Sequence, residues 1–405
     1  MRASVFVFCL GLLSVGAAQA DSLNVRFIGG CTLPDYAGGV AVVGDHAYVA
    51  DFNSGLRVIS VADPSHPAEI GSLDTPGRAL DVAVVGNHAY VADGAAGLRI
   101  VSVADPAHPV EVGYCDTPTY AQHVVALGGY AYVADNSSGL RVISVSDPAH
   151  PTEVGHCDVP GLAVGLDVEG GYAYVADYDS GLRVISIADP AHPVEVGSFD
   201  STTSASGVDV RDGYAYTVDE DAGLWVISVA DPMHPTRVKL VSQNLFFARD
   251  VAVVGGIAYV GAGTLRILSV ADPANPAEVG FYRTSREVRG VAVAGGYIYA
   301  TSRDSLLSVF QFYGGGVEET MSDERGTMNS LPTIVRGVLR LPAAASLKPQ
   351  ASSWLLDASG RKVLGLKPGA NDVGGLVPGV YFVRDPGSRG RGFEDSRATK
   401  VVVAR

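Results

Sequence analysis

Residues His88 to Pro109 read HAYVADGAAGLRIVSVADPAHP. Versions of the same phrase begin near Asp45, Gly129, Gly171, Asp212 and Gly256, and a worn copy begins at Gly296. The Asp-Pro pair that marks each copy falls at Asp63, Asp105, Asp147, Asp189, Asp231 and Asp272, a period of 42 residues with one step of 41. A period of that length means an array of supersecondary units, none of which can bury its apolar face alone.

Working outward from that stretch, one period divides into four short β-rich segments: Asp81 to Gly86, His88 to Asp93, Gly97 to Asp105 and Pro109 to Asp116. Valine, isoleucine and tyrosine fill them, Gly, Asn, Asp and Pro fill the joints, and no stretch carries a helical apolar period long enough to compete. The first joint is Gly-Asn or Gly-Gly (Gly86-Asn87, Gly128-Gly129, Gly170-Gly171, Gly255-Gly256), the chemistry of a two-residue hairpin turn with positive φ. The second is Asp-x-x-x-Gly and the third Asp-Pro-x-His-Pro, where proline pre-sets φ and removes donors that would prolong the strand. Each period is therefore a four-stranded meander.

Such meanders either stack in a line or close in a ring, and the ends of the array decide between them. Ile28 to Ala37 aligns without a gap on Val112 to Ala121, so the array begins with a lone fourth strand, while Val291 to Phe312 supplies three strands and stops. A line gains nothing from this arrangement, whereas a ring joins the two ends and removes an exposed edge. The fold expected is all-β: a seven-bladed propeller over residues 21–313, its last blade closed by Val25 to Thr32 pairing with Leu306 to Phe312.

The formal charge is −14 with the acids scattered, which argues against nucleic acid and anionic lipid as partners. The one long apolar run, Val5 to Gly16, follows Arg2 and precedes Ala18-Gln19-Ala20, the pattern of a secretory signal peptide over residues 1–20; it is too short for a comfortable bilayer span. Cys9 leaves with it. Cys31, Cys115 and Cys157 share one repeat position, and equivalent positions on neighbouring units lie too far apart for a disulfide, so three buried thiols are expected.

AYVAD, GLRVISV and ADPxHP together resemble the LVIVD repeat family, β-propellers found mostly in exported bacterial and archaeal proteins, over roughly Asn24 to Phe312. The resemblance implies an architecture and transfers no catalytic residues. Blades six and seven depart from it at Gly261-Ala262-Gly263 and at Ser302 to Ser305.

After Tyr313 the pattern ends in Gly314-Gly315-Gly316 and a polar stretch, a linker over 314–330. LLDASGRKVL, LxPGxNDVxxLxPGVYFVR and a terminal KVVV then resemble the type IX secretion C-terminal sorting domain, a small Ig-like β-sandwich over 331–405. The resemblance rests on Asp357, Gly360, Arg361, Pro378, Gly379, Tyr381 and Lys400, and implies delivery by outer-membrane export machinery to the surface or medium of a Gram-negative bacterium. An Ig-like module of another function is the plainer reading.

Asp51, Asp93, Asp135, Asp177 and Asp219 recur at the end of the second strand, and the loops at Asp51, Asp177 and Asp219 read like the opening of a calcium loop. The later acid such a loop needs is replaced by Arg57, Arg183 or Trp225, so turn-capping aspartates and no cofactor are expected, with Ca²⁺ the weaker reading. Arg57, Arg99, Arg141, Arg183 and Arg266 are expected to brace those aspartates as partly exposed pairs. Asp81, Asp167, Asp209 and Asp250 are placed at the start of the first strand, at the channel mouth, capping the neighbouring blade through backbone N–H groups, with a cation bound by ringed carboxylates the weaker reading. His66, His108, His150, His192 and His234 belong to the proline turn, and no Ser-His-Asp or metal-ligand spacing emerges.

What breaks the repeat is more telling. Where other blades carry small residues, the joints entering blades six and seven carry Phe246, Phe247 and Arg249, then Tyr282, Arg283, Arg286 and Arg289. In a propeller these joints share a face with the Asp219-Glu220-Asp221 loop. Aromatics with arginines on a rigid scaffold suit a recognition patch for a protein or glycan, so a non-enzymatic surface binding protein is expected. The alternative is an exported polysaccharide hydrolase or lyase using the propeller mouth.

Overall fold

The computed structural model describes residues 21–200 and 204–313 in full, together with the backbone of the strands between Thr333 and Val403. The described residues 21–313 belong to one compact unit, and the strands between Thr333 and Val403 to a second. The expected leader and linker lie outside the described residues, as do Asp357, Gly360, Arg361 and Pro378.

The first unit holds seven antiparallel meanders of the expected kind. In blade two the strands run Asp81–Val85, His88–Ala92, Leu98–Ser102 and Val110–Cys115, innermost to outermost. The Gly86 turn takes φ +59°, which matches the hairpin to the strand twist. A bulge between Glu111 and Gly113 bends the outer strand. That glycine is needed for packing: a Cβ on Gly113 would collide with the Pro148 carbonyl of the next blade's proline turn, and one on Gly71 with that of Pro106. The strand Val25–Thr32 pairs with Leu306–Phe312 as the fourth strand of blade seven. Its Gly29 meets blade one's proline turn in the same way, a Cβ there falling 2.7 Å from the Pro64 carbonyl oxygen.

Seven apolar clusters fill the gaps between blades. Tyr90, Leu98 and Ile100 meet Val124, Val133 and Ile143 between blades two and three, and Tyr299, Leu307 and Val309 meet Val49, Ile59 and Val61 between blades seven and one. The core is thus a closed ring of interfaces with no terminal blade. One element has no counterpart in the sequence reading: Ser22–Leu23 adds a fifth strand to blade six, pairing with Tyr282 and Phe281, so one N-terminal segment joins two blades.

Within the second unit, Ser353–Leu356, Lys362–Leu366, Gly379–Arg384, Thr399–Val403 and Thr333–Val335 form a five-stranded sheet, and Val338–Leu341 pairs with Gly369–Asp372. Gly379 and Tyr381 lie on one strand and Lys400 on its neighbour, with Phe382 opposite Lys400. Among the described residues no helix is long and apolar enough to cross a membrane.

Candidate functional site

The recurring aspartates are structural. Asp51, Asp93, Asp135, Asp177 and Asp219 are fully buried. Each has an oxygen that faces donors: Asp93 accepts the Thr75 hydroxyl at 2.5 Å and the Gly77 N–H at 2.8 Å, Asp177 accepts the Gly161 N–H at 2.9 Å, and Asp51 that of Asp35 at 3.2 Å. They therefore cap the segment entering their own blade, and Asp219 also caps its following turn through the Asp221 and Ala222 N–H groups. Burial, with Asp35 and Glu69 nearby, pushes Asp51 up to about 6 against the pull of the Asp35 N–H and Arg57.

Arg57, Arg99, Arg141 and Arg183 approach these aspartates at 3.6–4.0 Å, but they are buried rather than partly exposed, clamped between their strand and the acids of the outermost one. Arg266 instead pairs with Glu278 at 3.3 Å, since blade six has Ala262 where the aspartate would stand. The histidines of the proline turns bond their aspartates through Nδ1, as His108 does Asp105 at 2.9 Å. The three thiols are free and only half-buried, because the outermost strand has one face toward solvent.

The channel aspartates occupy two levels, not one. Asp81 and Asp250 begin their strands, opposite Ala92 and Gly261. Asp167 and Asp209 lie two residues deeper, opposite Tyr174 and Tyr216, because they stand three residues ahead of the hairpin turns at Gly170 and Asp212, where Asp81 and Asp250 stand five ahead of Gly86 and Gly255. All four accept a neighbouring blade's N–H: Val124 to Asp81 at 3.0 Å, and Val210, Val253 and Val291 to Asp167, Asp209 and Asp250 at 2.7 Å. Burial pushes Asp209 up to about 7; Arg211 opposes the shift and the Asp167 carboxylate adds to it.

Above this ladder the channel opens into a cavity of about 420 Å³ on the face of the blade-entry joints. Three repeat positions line most of it. Two open the innermost strand: Gly38, Leu80, Gln122, Val164, Ser206, Arg249 and Arg289, then Gly39, Asp81, His123, Gly207 and Asp250. The third follows the second strand: Phe52, Tyr178, Glu220 and Arg303, with Tyr36 alongside. Blades that are otherwise near copies differ most at these positions.

The walls differ in chemistry. On one side Glu287 Oε1 is shared by Arg289 Nη2 at 3.2 Å and by Arg249 Nε and Arg303 Nη1 at 3.9 Å, and Arg249 also pairs with Glu220. Tyr36 and Phe52 lie with ring centroids 6.0 Å apart, under the guanidinium groups of Arg303 and Arg78 at 6.0 and 4.9 Å. At the throat His123 Nδ1 lies 3.4 Å from Asp81 Oδ2, and the Asp250 carboxyl, raised by burial, feels both groups. Among the described residues no cluster of His, Cys, Asp or Glu is arranged to hold a metal ion.

Of the residues expected at a recognition patch, Arg249, Arg289 and Glu220 line the cavity. Phe246 and Phe247 stand beside it, 65% and 57% exposed, between buried Leu245 and Ala248. Their loop is fixed by the Phe247 N–H on the Glu220 carbonyl at 2.9 Å and the Gly263 N–H on that of Phe246 at 3.0 Å, and Phe247 takes φ +57°. Arg283 and Arg286 are exposed, the former donating its N–H to the Asp21 carbonyl at 2.8 Å. Asp221 accepts the Ser204 hydroxyl at 2.8 Å. Tyr282 does not join the patch: it packs between blades six and seven against Phe310, 4.8 Å between centroids, and Phe27. Asp219 is buried beneath it. The sequence reading missed Tyr36, Phe52, His123, Tyr178 and Arg303 as lining residues; the available signal was the variation at their repeat positions.

The LVIVD repeat model matches six consecutive segments, 34–75, 76–117, 118–159, 160–201, 203–242 and 247–284. The seventh blade, split between the two ends of the ring, falls outside those matches. No curated protein matches the chain in sequence. Among solved structures it is similar to the computationally designed Ika8 protein (TM-score 0.54, 9% identity, 68% of this chain and 83% of that one). It is also similar to a chain of the mitotic checkpoint complex (TM-score 0.61, 12% identity, 77% and 99%). At such identities the likeness is one of fold.

Proposed function

The chain belongs to the LVIVD repeat family, and on that scaffold we propose a non-enzymatic binding protein that engages its partner through the cavity and the Phe246-Phe247 rim. One observation carries the reading: two phenylalanines are held out to solvent on a loop anchored on both sides, one of them in a left-handed backbone conformation that phenylalanine rarely adopts. Fixed, exposed aromatics beside arginines are the anchors from which recognition surfaces are built, and a loop pinned in advance loses little entropy on binding. The leader over 1–20 and the module over 331–405 extend the proposal to an exported protein handed to outer-membrane machinery and displayed on the surface or released.

The Phe246→Ala, Phe247→Ala double variant is expected to abolish attachment of the purified protein to envelope or matrix material while its circular dichroism stays unchanged. Undiminished attachment would refute the rim. Depolymerisation of a polysaccharide by the pure protein would replace binding with catalysis. A stop codon at Leu331 is expected to leave the product in the periplasm, and normal display of that truncated chain would remove the sorting role.

A further inference from the structure

We propose that the cavity takes an acidic saccharide, one bearing a carboxylate on a pyranose ring; the inference rests on the binding reading above and names its ligand class. Three features of the cavity have to be met at once. The first is a wall rich in donors: Arg249, Arg289 and Arg303 share Glu287 and Glu220, three guanidinium groups for two carboxylates. A guanidinium fork matches a carboxylate in two parallel hydrogen bonds. The second is a throat rich in acceptors: the Asp81 and Asp250 carboxylates and Gln122 line it, with His123 Nδ1 3.4 Å from Asp81 Oδ2. Hydroxyl groups satisfy such acceptors, whereas a phosphate-dense ligand would be repelled by them. The third is apolar: Tyr36, Phe52 and Tyr178 line the cavity with aromatic rings, against which the C–H face of a sugar can pack.

A carboxylated pyranose presents anionic oxygens, hydroxyl donors and an apolar face in one rigid unit. A neutral sugar adds no counter-charge to a wall of three guanidinium groups and two carboxylates, and a simple carboxylate leaves the throat and rings unused. The volume lies toward the small end of the roughly 300–1,000 Å³ typical of small-molecule sites, enough for a short saccharide and not for a polymer chain in cross-section.

The test is calorimetric titration of the full chain with trigalacturonic acid and with galactotriose, its neutral counterpart. The acidic trimer is expected to bind at least tenfold more tightly. Arg303→Gln, at a side chain 54% exposed, and Arg289→Gln are each expected to erase most of that preference, and Tyr178→Ala to weaken both sugars. Equal affinity for the two trimers would overturn the proposal, as would an acid preference unchanged in both arginine variants. If no acidic saccharide binds while the Phe246, Phe247 variant still abolishes attachment, the ligand class is wrong and the rim stands. If the trimer binds and the rim variant attaches normally, the cavity proposal holds and the rim reading falls.

Discussion

Asp177 and Tyr178 are neighbours in the chain and belong to two different structures. Asp177 is one of five buried aspartates on which the entering segments are hung, the same residue in five consecutive blades. Tyr178 is one of a ring reading Phe52, Gly94, Asn136, Tyr178, Glu220, in which consecutive blades all differ, and three of its members face the cavity. A bracing ring and a variable mouth are thus interleaved one residue apart. The repeat can hold the first constant because every blade needs the same cap, and can vary the second because no backbone bond depends on those side chains.

The largest effect should come from breaking the ring that carries both. Deleting residues 21–34 removes the outer strand of blade seven, the fifth strand of blade six and the Gly29 contact with blade one. The expected result is loss of a cooperative thermal transition in scanning calorimetry, with blades seven and one exposing apolar faces. A truncated chain that melts at the full-length temperature would contradict closure.

Within the intact ring, Asp93→Ala removes two hydrogen bonds and leaves buried Arg99 short of a counter-charge, which should cost about 2–4 kcal/mol. Gln122→Ala, at the mouth, should cost less than about 0.5 kcal/mol. Urea unfolding of the two variants checks the contrast, and equal losses would dissolve it.

A smaller effect separates the channel ladder from both. The Asp209 carboxyl titrates near 7 when folded, against an ordinary 3.8, so the folded chain holds the extra proton between those values. Stability from this group is therefore greatest at acid pH and declines as pH rises toward 7. Asp209→Asn keeps an acceptor for the Val253 N–H and should stabilise the protein by roughly 1–2 kcal/mol at pH 8, with no gain at pH 4. Melting curves at the two pH values test this, and a loss at pH 8 would mean that Arg211 needs the charge.

The ring was legible because its signals are local and repeated: hairpin glycines, proline turns, and a surplus strand at one end matching a deficit at the other. The mouth was legible at Arg249 and Arg289, with Phe246 and Phe247 beside them, where joints depart in bulk from their counterparts, and at Glu220, Asp81 and Asp250. Phe52 and Tyr178 each differ at a single position, and a period alone does not say whether such a position drifts or faces an axis. The depth of Asp167 and Asp209 was legible too, three residues ahead of the hairpin turn where Asp81 and Asp250 stand five ahead, but grouping the four aspartates as one set passed over that offset. Tyr282 turns inward because it ends the outermost strand at the repeat position of Leu73, Cys115 and Phe199, which packs into the gap between blades in each case.

The separation of brace from mouth is tested most directly by scanning calorimetry of the triple variant Tyr36→Ala, Tyr178→Ala, Arg303→Gln, which strips the cavity of two rings and a guanidinium group. The account predicts a melting temperature within about 2 °C of the parent protein together with loss of acidic-saccharide binding. A fall as large as that of Asp93→Ala would show the mouth to be part of the brace and contradict the account.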